Sequence, residues 1–235
     1  MDKDKKKIKK HNDLIEARHK MSPLEKNIIY MMLAQLRDDD PPEKLYYDID
    51  FGELERRLDQ KISIPELVKA AEALVFRVYT IRKESGGLLY TSLVGSVHNL
   101  PDKNMVQLGI SYRAKPYLLA LKHNYTEFQL DMALRLKSKY SKRMYEMLSQ
   151  HREEGVMEIS VEELKYRLAL KDLKTGKEQY KPWSMFKKYV LTVPQEELKA
   201  YTDISCTYRV KKEAGKHSGL TFYIEPIAPY KPSKP

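Results

Sequence analysis

Residues 50–91 read DFGELERRLDQKISIPELVKAAEALVFRVYTIRKESGGLLYT, and their punctuation decides the fold. Asp50 stands where an N-cap opens a helix carrying Leu54 and Leu58. Ser63 and Pro65 open the next, whose inner positions are Leu67, Ala71 and Leu74 at helical spacing. Val78-Tyr79-Thr80-Ile81, a Gly86-Gly87 turn and Leu88-Leu89-Tyr90-Thr91 then spell a β-hairpin, with Arg82 and Lys83 near its tip. Upstream, Ser22-Pro23 starts an earlier helix through Leu24, Ile28, Met31, Met32 and Leu36, and Asp38-Asp39-Asp40-Pro41-Pro42 ends it. Downstream, residues 105–110 add an extended segment.

The same order recurs. A long helix is expected over residues 127–152, with Leu130, Leu134, Ser141, Tyr145 and Leu148 along one stripe. After Gly155, Ser160-Val161-Glu162-Glu163 forms a capping box that opens a helix carrying Leu164 and Leu168. A polar linker, residues 174–181, leads to a third helix near Trp183, and residues 204–211 and 220–225 make a hairpin around Ala214-Gly215-Lys216-His217. Residues 51–58 align with residues 161–168 at an offset of 110, where Glu, Leu, Arg and Leu coincide. Three helices followed by a hairpin, twice over, imply an α+β, mostly helical chain of two winged-helix domains in tandem, each a helix-turn-helix with a β-hairpin wing. The expected divisions are a basic flexible arm (1–10), an N-terminal winged helix (11–120), a C-terminal winged helix (121–228) and a Pro/Lys tail (229–235).

Charge placement separates the halves. The chain carries a formal +10 and a pI near 9.3, which favours a polyanionic partner. Residues 11–120 are close to neutral, whereas residues 121–235 hold a net +7 and residues 1–10 a net +4. The second half is therefore the expected main DNA-binding module, and the first the candidate for dimerisation with weaker DNA contact. The single cysteine, Cys206, excludes an internal disulfide and a cysteine-based zinc site. No apolar run approaches the roughly 18 residues of a membrane span, and no signal-like apolar region follows the N-terminus, so a cytoplasmic protein off the membrane is expected. There is no G-x-x-x-x-G-K-[ST] loop, and the six histidines include no H-x-H pair, so neither a catalytic role nor a metal or other cofactor is expected.

In the last helix Trp183, Phe186, Val190 and Val193 cluster on one side, and Ser184, Lys188 and Thr192 face the other, with Met185 and Leu191 at the margins and Lys187 on the flank. A basic, hydroxylated outer face suits a major groove, because Lys reaches guanine acceptors or phosphates and Ser either. Lys181 precedes that helix, and Lys211, Lys212 and Lys216, with His217, sit on the second hairpin. Arg135, Lys139, Lys142 and Arg143 are expected as a basic stripe on the long helix, lying along a phosphate backbone.

The stretch Ser138-Lys139-Tyr140-Ser141-Lys142-Arg143-Met144-Tyr145-Glu146-Met147-Leu148 resembles the iteron-binding replication initiators of theta-replicating plasmids. Tyr125-Thr126-Glu127-Phe128 before it, Glu163-Leu164, Leu168, Tyr180, Trp183, Phe186-Lys187 and Val190-Leu191 after it, and the opening Asn12-Asp13-Leu14-Ile15-Glu16-Ala17 followed by Ser22-Pro23-Leu24-Glu25 extend the resemblance over about residues 11–226. It implies double-stranded DNA as partner: direct repeats bound as a monomer that recruits host helicase or initiator proteins, and an inverted-repeat operator bound by a homodimer that represses the initiator's own gene. It also implies that Trp183 to Val193 is the recognition helix, with Pro194 ending or kinking that helix earlier than the family pattern. The alternatives are a winged-helix transcription regulator without an initiator role, and a metal-dependent nicking initiator.

Overall fold

A computed structural model describes residues 6–41, 43–119 and 121–227. The chain divides into two compact units, Met1–Arg135 and Leu136–Pro235.

The first unit runs β1 (Lys7–His11), α1 (Asn12–Glu16), α2 (Pro23–Leu33), β2 (Tyr46–Asp50), α3 (Phe51–Leu58), α4 (Ile64–Ala73), β3 (Val78–Arg82), β4 (Leu88–Ser92), β5 (Val94–Leu100), β6 (Met105–Ile110), β7 (Tyr125–Gln129) and α5 (Leu130–Arg135). Ser22 and Glu25 complete a capping box on α2, whose residues Ile28 to Leu33 are buried against β2, α4 and α5. The helix-turn-helix is α3 and α4, joined by the five residues 59–63.

The wing is not where the glycine pair placed it. β2, β6 and β5 form a three-stranded sheet in that order, so the hairpin that returns beside the helix-turn-helix is β5–β6. The Gly86-Gly87 hairpin, β3–β4, is a separate two-stranded ribbon. Pro101, Asp102 and Lys103 turn β5 into β6, with Asn104 in the left-handed region at φ 52°, a weaker turn signal than two glycines.

Residues 7–10 are not a free arm. β1 pairs antiparallel with β7, Ile8 opposite Phe128, both fully buried, and Phe128 packs edge-on to Tyr30. Ion pairs of Lys6 with Glu53, Lys7 with Glu127 and Lys9 with Asp38 spend charge that the sequence read as solvated. Residues 1–5 and the expected tail 229–235 lie outside the described residues. The β1–β7 pairing and the packing of α5 on α2 and α3 also draw residues 125–135 into the first unit, so contacts divide the chain at Arg135 rather than at residue 120.

The second unit runs α6 (Lys139–Gln150), β8 (Val156–Ser160), α7 (Val161–Arg167), α8 (Trp183–Phe186), a π-helical segment (Lys187–Thr192), α9 (Val193–Tyr201), β9 (Ile204–Glu213) and β10 (Lys216–Pro226). The long helix expected over 127–152 is thus three elements, β7, α5 and α6. Ser138 caps α6 by accepting from the Tyr140 N–H, and the Glu197 carboxylate accepts the N–H groups of Lys137 and Ser138, so the chain restarts rather than continues. β8, β10 and β9 form a sheet in that order, equivalent to β2, β6 and β5. Pro194 does not end the helix that begins at Trp183. The chain stays helical through it, widened to π pitch over Lys187–Thr192, which accommodates the missing N–H and the ring that would crowd the preceding turn.

Candidate nucleic-acid interface

The second unit presents the basic surface. Ser160 accepts from the Glu163 N–H at 3.0 Å to start α7, and the Glu163 carboxylate takes the Arg167 guanidinium at 2.8 Å one turn on. Leu164, Phe186, Val190, Leu191 and Leu198 are buried, and they fix the rotation of the α8–π–α9 helix. On its other side Lys181, Ser184, Met185, Lys187 and Lys188 are exposed, as the helical periodicity indicated, whereas Leu191 lies in the core rather than at a margin.

The β9–β10 hairpin turns at Ala214 and Gly215, both left-handed at φ 47° and 76°, so a type I′-like corner joins the strands. Lys211, Lys212 and Lys216 are exposed around it, with the Lys211 ammonium 2.9 Å from Glu213. The hairpin is joined to the helix at its base, where the Gln195 amide donates to the Cys206 carbonyl at 2.8 Å, and near its tip by a stack: the His217 ring lies flat on Trp183, centroids 3.8 Å apart and planes 5° from parallel, and Trp183 stacks in turn on Phe186 at 5.3 Å. The sequence marked Trp183 as core and His217 as hairpin. Nothing in spacing couples two rings from separate elements, so their contact was not legible.

The expected stripe on α6 does not form. Lys142 has no exposed surface, and burial pushes its ammonium down to about 7 against the opposing pull of Glu197 and Glu146. Arg143 is buried in an ion pair with the fully buried Glu146 at 2.7 Å. Lys139 is half-buried with its ammonium 4.9 Å above the Tyr140 ring, and Arg135 is half-buried at the end of α5, in the first unit. The structure therefore joins Lys181, Ser184, Met185, Lys187 and Lys188 to Lys211, Lys212 and Lys216 through the Trp183–His217 stack, and removes Lys142 and Arg143 from that surface.

In the first unit the corresponding helix α4 shows Glu66, Lys69 and Glu72 outward, a mixed face. No group of three His, Cys, Asp or Glu side chains able to hold a metal occurs among the described residues, and none of their helices is long and apolar enough to cross a membrane.

Two family models match the chain in succession, "Initiator Replication protein, WH1" over residues 7–149 and "Initiator Rep protein, WH2" over residues 160–224. The chain is 27% identical to the PI protein of Escherichia coli, over 94% of this chain and 84% of that protein. Among solved structures, its fold is similar to that of the Pi initiator protein in complex with iteron DNA, with a TM-score of 0.80 and 24% identity over 94% of this chain and 97% of the other.

Proposed function

Since the chain belongs to the family of initiator replication proteins, we propose that it binds directly repeated duplex DNA at a plasmid origin and starts replication there without cutting it. The observation that carries this reading is the Trp183–His217 stack, which holds a basic wing against a basic, hydroxylated helix face. A helix so presented enters a major groove, with Lys188 and Ser184 towards base edges or phosphates and the wing lysines on the flanking backbone. The similar Pi initiator protein is known in complex with iteron DNA, which supports the same ligand for this chain. On this reading the protein acts in the bacterial cytoplasm and passes the origin to the host helicase machinery. Footprinting on the DNA that flanks its gene tests it. Protected direct repeats about two helical turns apart are expected, and protection of one palindrome alone would favour a transcription regulator instead.

A second, dimeric form is favoured by the edge of β4. Thr80 exchanges both backbone bonds with Arg18, at 2.9 and 3.2 Å, so its amide groups point away from β4. Facing residues of an antiparallel pair share this state, so Tyr90, opposite Thr80, also turns its N–H and C=O outward, and Leu88 follows at a period of two. The side chains of Leu88 and Tyr90 are 48% and 65% exposed, and no further strand lies beyond β4 among the described residues. The 3-10 segment Tyr112–Tyr117 packs near Lys83 and Leu88–Leu89, but no strand among the described residues pairs this edge of β4, and an unpaired apolar edge of this kind pairs with a second strand. A second copy docked there gives a two-fold assembly suited to an inverted-repeat operator, and hence to autorepression.

A further inference from the structure

The two helix-turn-helix motifs differ at their turn. In the first unit residues 59–63 join α3 to α4, whereas in the second residues 168–182 join α7 to α8. The added residues are organised. The Asp172 carboxylate accepts the N–H groups of Lys174 and Thr175 at 2.9 and 2.8 Å, and the Asp172 N–H donates to the Lys177 carbonyl at 2.8 Å. The Gly176 N–H donates to the Asp172 carbonyl at 2.9 Å, with Gly176 at φ 69° where a side chain would be strained. Lys171 and Glu178 bridge across the base, which makes a miniature hairpin.

Its base is tied to three helical elements. Glu178 pairs with Lys165 of α7 at 2.9 Å, the Tyr140 hydroxyl of α6 donates to Gln179 at 3.3 Å, and the Tyr180 ring stacks on Tyr189 of the π segment at 5.0 Å. Its tip, residues 171–177, is exposed throughout. The tip carries Lys171, Lys174 and Lys177 against one acid, Asp172, whose carboxylate is turned onto the turn's own N–H groups, so the tip presents a net positive charge to solvent. Trp183, which carries the wing, and Tyr189, which carries this turn, lie well apart around the helix axis, with the buried Phe186 and Val190 between them. The recognition helix therefore runs between two rigid basic turns.

We infer that residues 171–177 are a second wing, which lays Lys174 and Lys177 on the phosphate backbone at the edge of the groove opposite the one taken by the β9–β10 hairpin. The inference rests on the duplex-binding reading above. The phosphates of both strands border a groove that holds the helix, and each basic turn faces one of them.

The test measures binding of the full chain to a duplex of its flanking direct repeats, and to a scrambled duplex of equal length, across salt concentrations. Lys174→Ala combined with Lys177→Ala is expected to lower the slope of log affinity against log salt by about 1.8, at about 0.9 per phosphate contact, equally on both duplexes and with unchanged thermal midpoint. Lys199→Ala, an exposed lysine on α9 outside this edge, is expected to leave the slope as it is. Asp172→Ala adds positive charge but releases the turn, so it is expected to weaken binding. A parental slope in the double variant, or tighter binding by Asp172→Ala, overturns the inference. A parent that holds the repeats no better than the scrambled duplex, or is indifferent to Lys188→Ala, sinks the duplex-binding reading itself, which separates the two failures.

Discussion

Lysine 142 shows what residue identity conceals. The sequence around it reads as a basic stripe, because Lys139, Lys142 and Arg143 share one side of a helix. Which side faces water depends on neighbours such as Glu197, far away in sequence. Burial holds the Lys142 amine at about 7, below its ordinary 10.5, so between these values the unfolded chain binds more protons than the folded one. Its contribution to stability therefore rises as pH climbs from about 7 towards 10.5, and below 7 the cost of a charged buried amine is present in full. Lys142→Met leaves both carboxylates partnered, Glu146 on Arg143 and Glu197 on the Lys137 and Ser138 N–H groups. The variant is expected to be as stable as the parent or more so, by an advantage larger at pH 7 than at pH 9.5 in urea melts. An equal difference at both pH values would show that Lys142 does not titrate there. Arg143→Ala, in contrast, takes the guanidinium from a fully buried Glu146 and is expected to cost roughly 3–5 kcal/mol, read from the same melts. Any DNA-binding loss in that variant then reports folding, not contact. Lys188→Ala touches only exposed surface, and is expected to keep the parental melt while lowering the salt slope of DNA binding by about one.

At the scale of elements, the internal repeat and the second unit's wing were legible, and the first unit's wing was not. The offset of 110 seen between residues 51–58 and 161–168 extends to details: Asp50 and Ser160 cap α3 and α7, and Glu53–Arg57 and Glu163–Arg167 form the same ion pair one turn apart, at 2.9 and 2.8 Å. Caps and helical spacing are local, so the sequence carries them directly. Sheet partners are not local. The Gly86-Gly87 hairpin drew the wing assignment because two glycines outweigh Asn104 as turn chemistry, yet β2 pairs with β6 and leaves β3–β4 outside the sheet. Pro194 misled in the other direction, since a π segment lets a helix absorb a proline that an α pitch rejects. Near its tip the wing of the second unit meets the helix in the His217–Trp183 stack, and Trp183 is the only tryptophan in the chain. His217→Ala is expected to change the tryptophan emission in the free protein and to weaken DNA binding by up to about tenfold, since such ring pairs are worth roughly 0.5–1.5 kcal/mol. Unaltered emission with parental affinity would mean the wing is held by its strands alone.

On the scale of the whole molecule, charge set different expectations for the two units before any fold was known, and moving the division from residue 120 to Arg135 leaves the difference in charge in place. Residues 121–135 hold two bases, Lys122 and Arg135, and two acids, Glu127 and Asp131, so the first unit carries a net +3 and the second keeps the net +7. A unit of low net charge with a strand edge unpaired by any further strand among the described residues is suited to self-association, because little net repulsion opposes two copies. That edge was illegible in the sequence: Leu88 and Tyr90 read as ordinary hairpin residues, and only the pairing of Thr80 with Arg18 shows which way the β4 amides point. Proteins protect such edges with lysines, which gives the experiment. Leu88→Lys combined with Tyr90→Lys changes side chains that are 48% and 65% exposed, so the thermal midpoint is expected to stay close to the parent's. Sedimentation equilibrium is expected to show the parent moving from monomer to dimer with concentration and the variant remaining monomeric. Binding to a single direct repeat then persists in the variant, because the interface of the second unit is untouched, while binding to an inverted repeat loses its two-fold advantage. A variant that still dimerises like the parent would move the self-association surface away from β4, and a parent that stays monomeric throughout would remove the basis for a dimeric repressor.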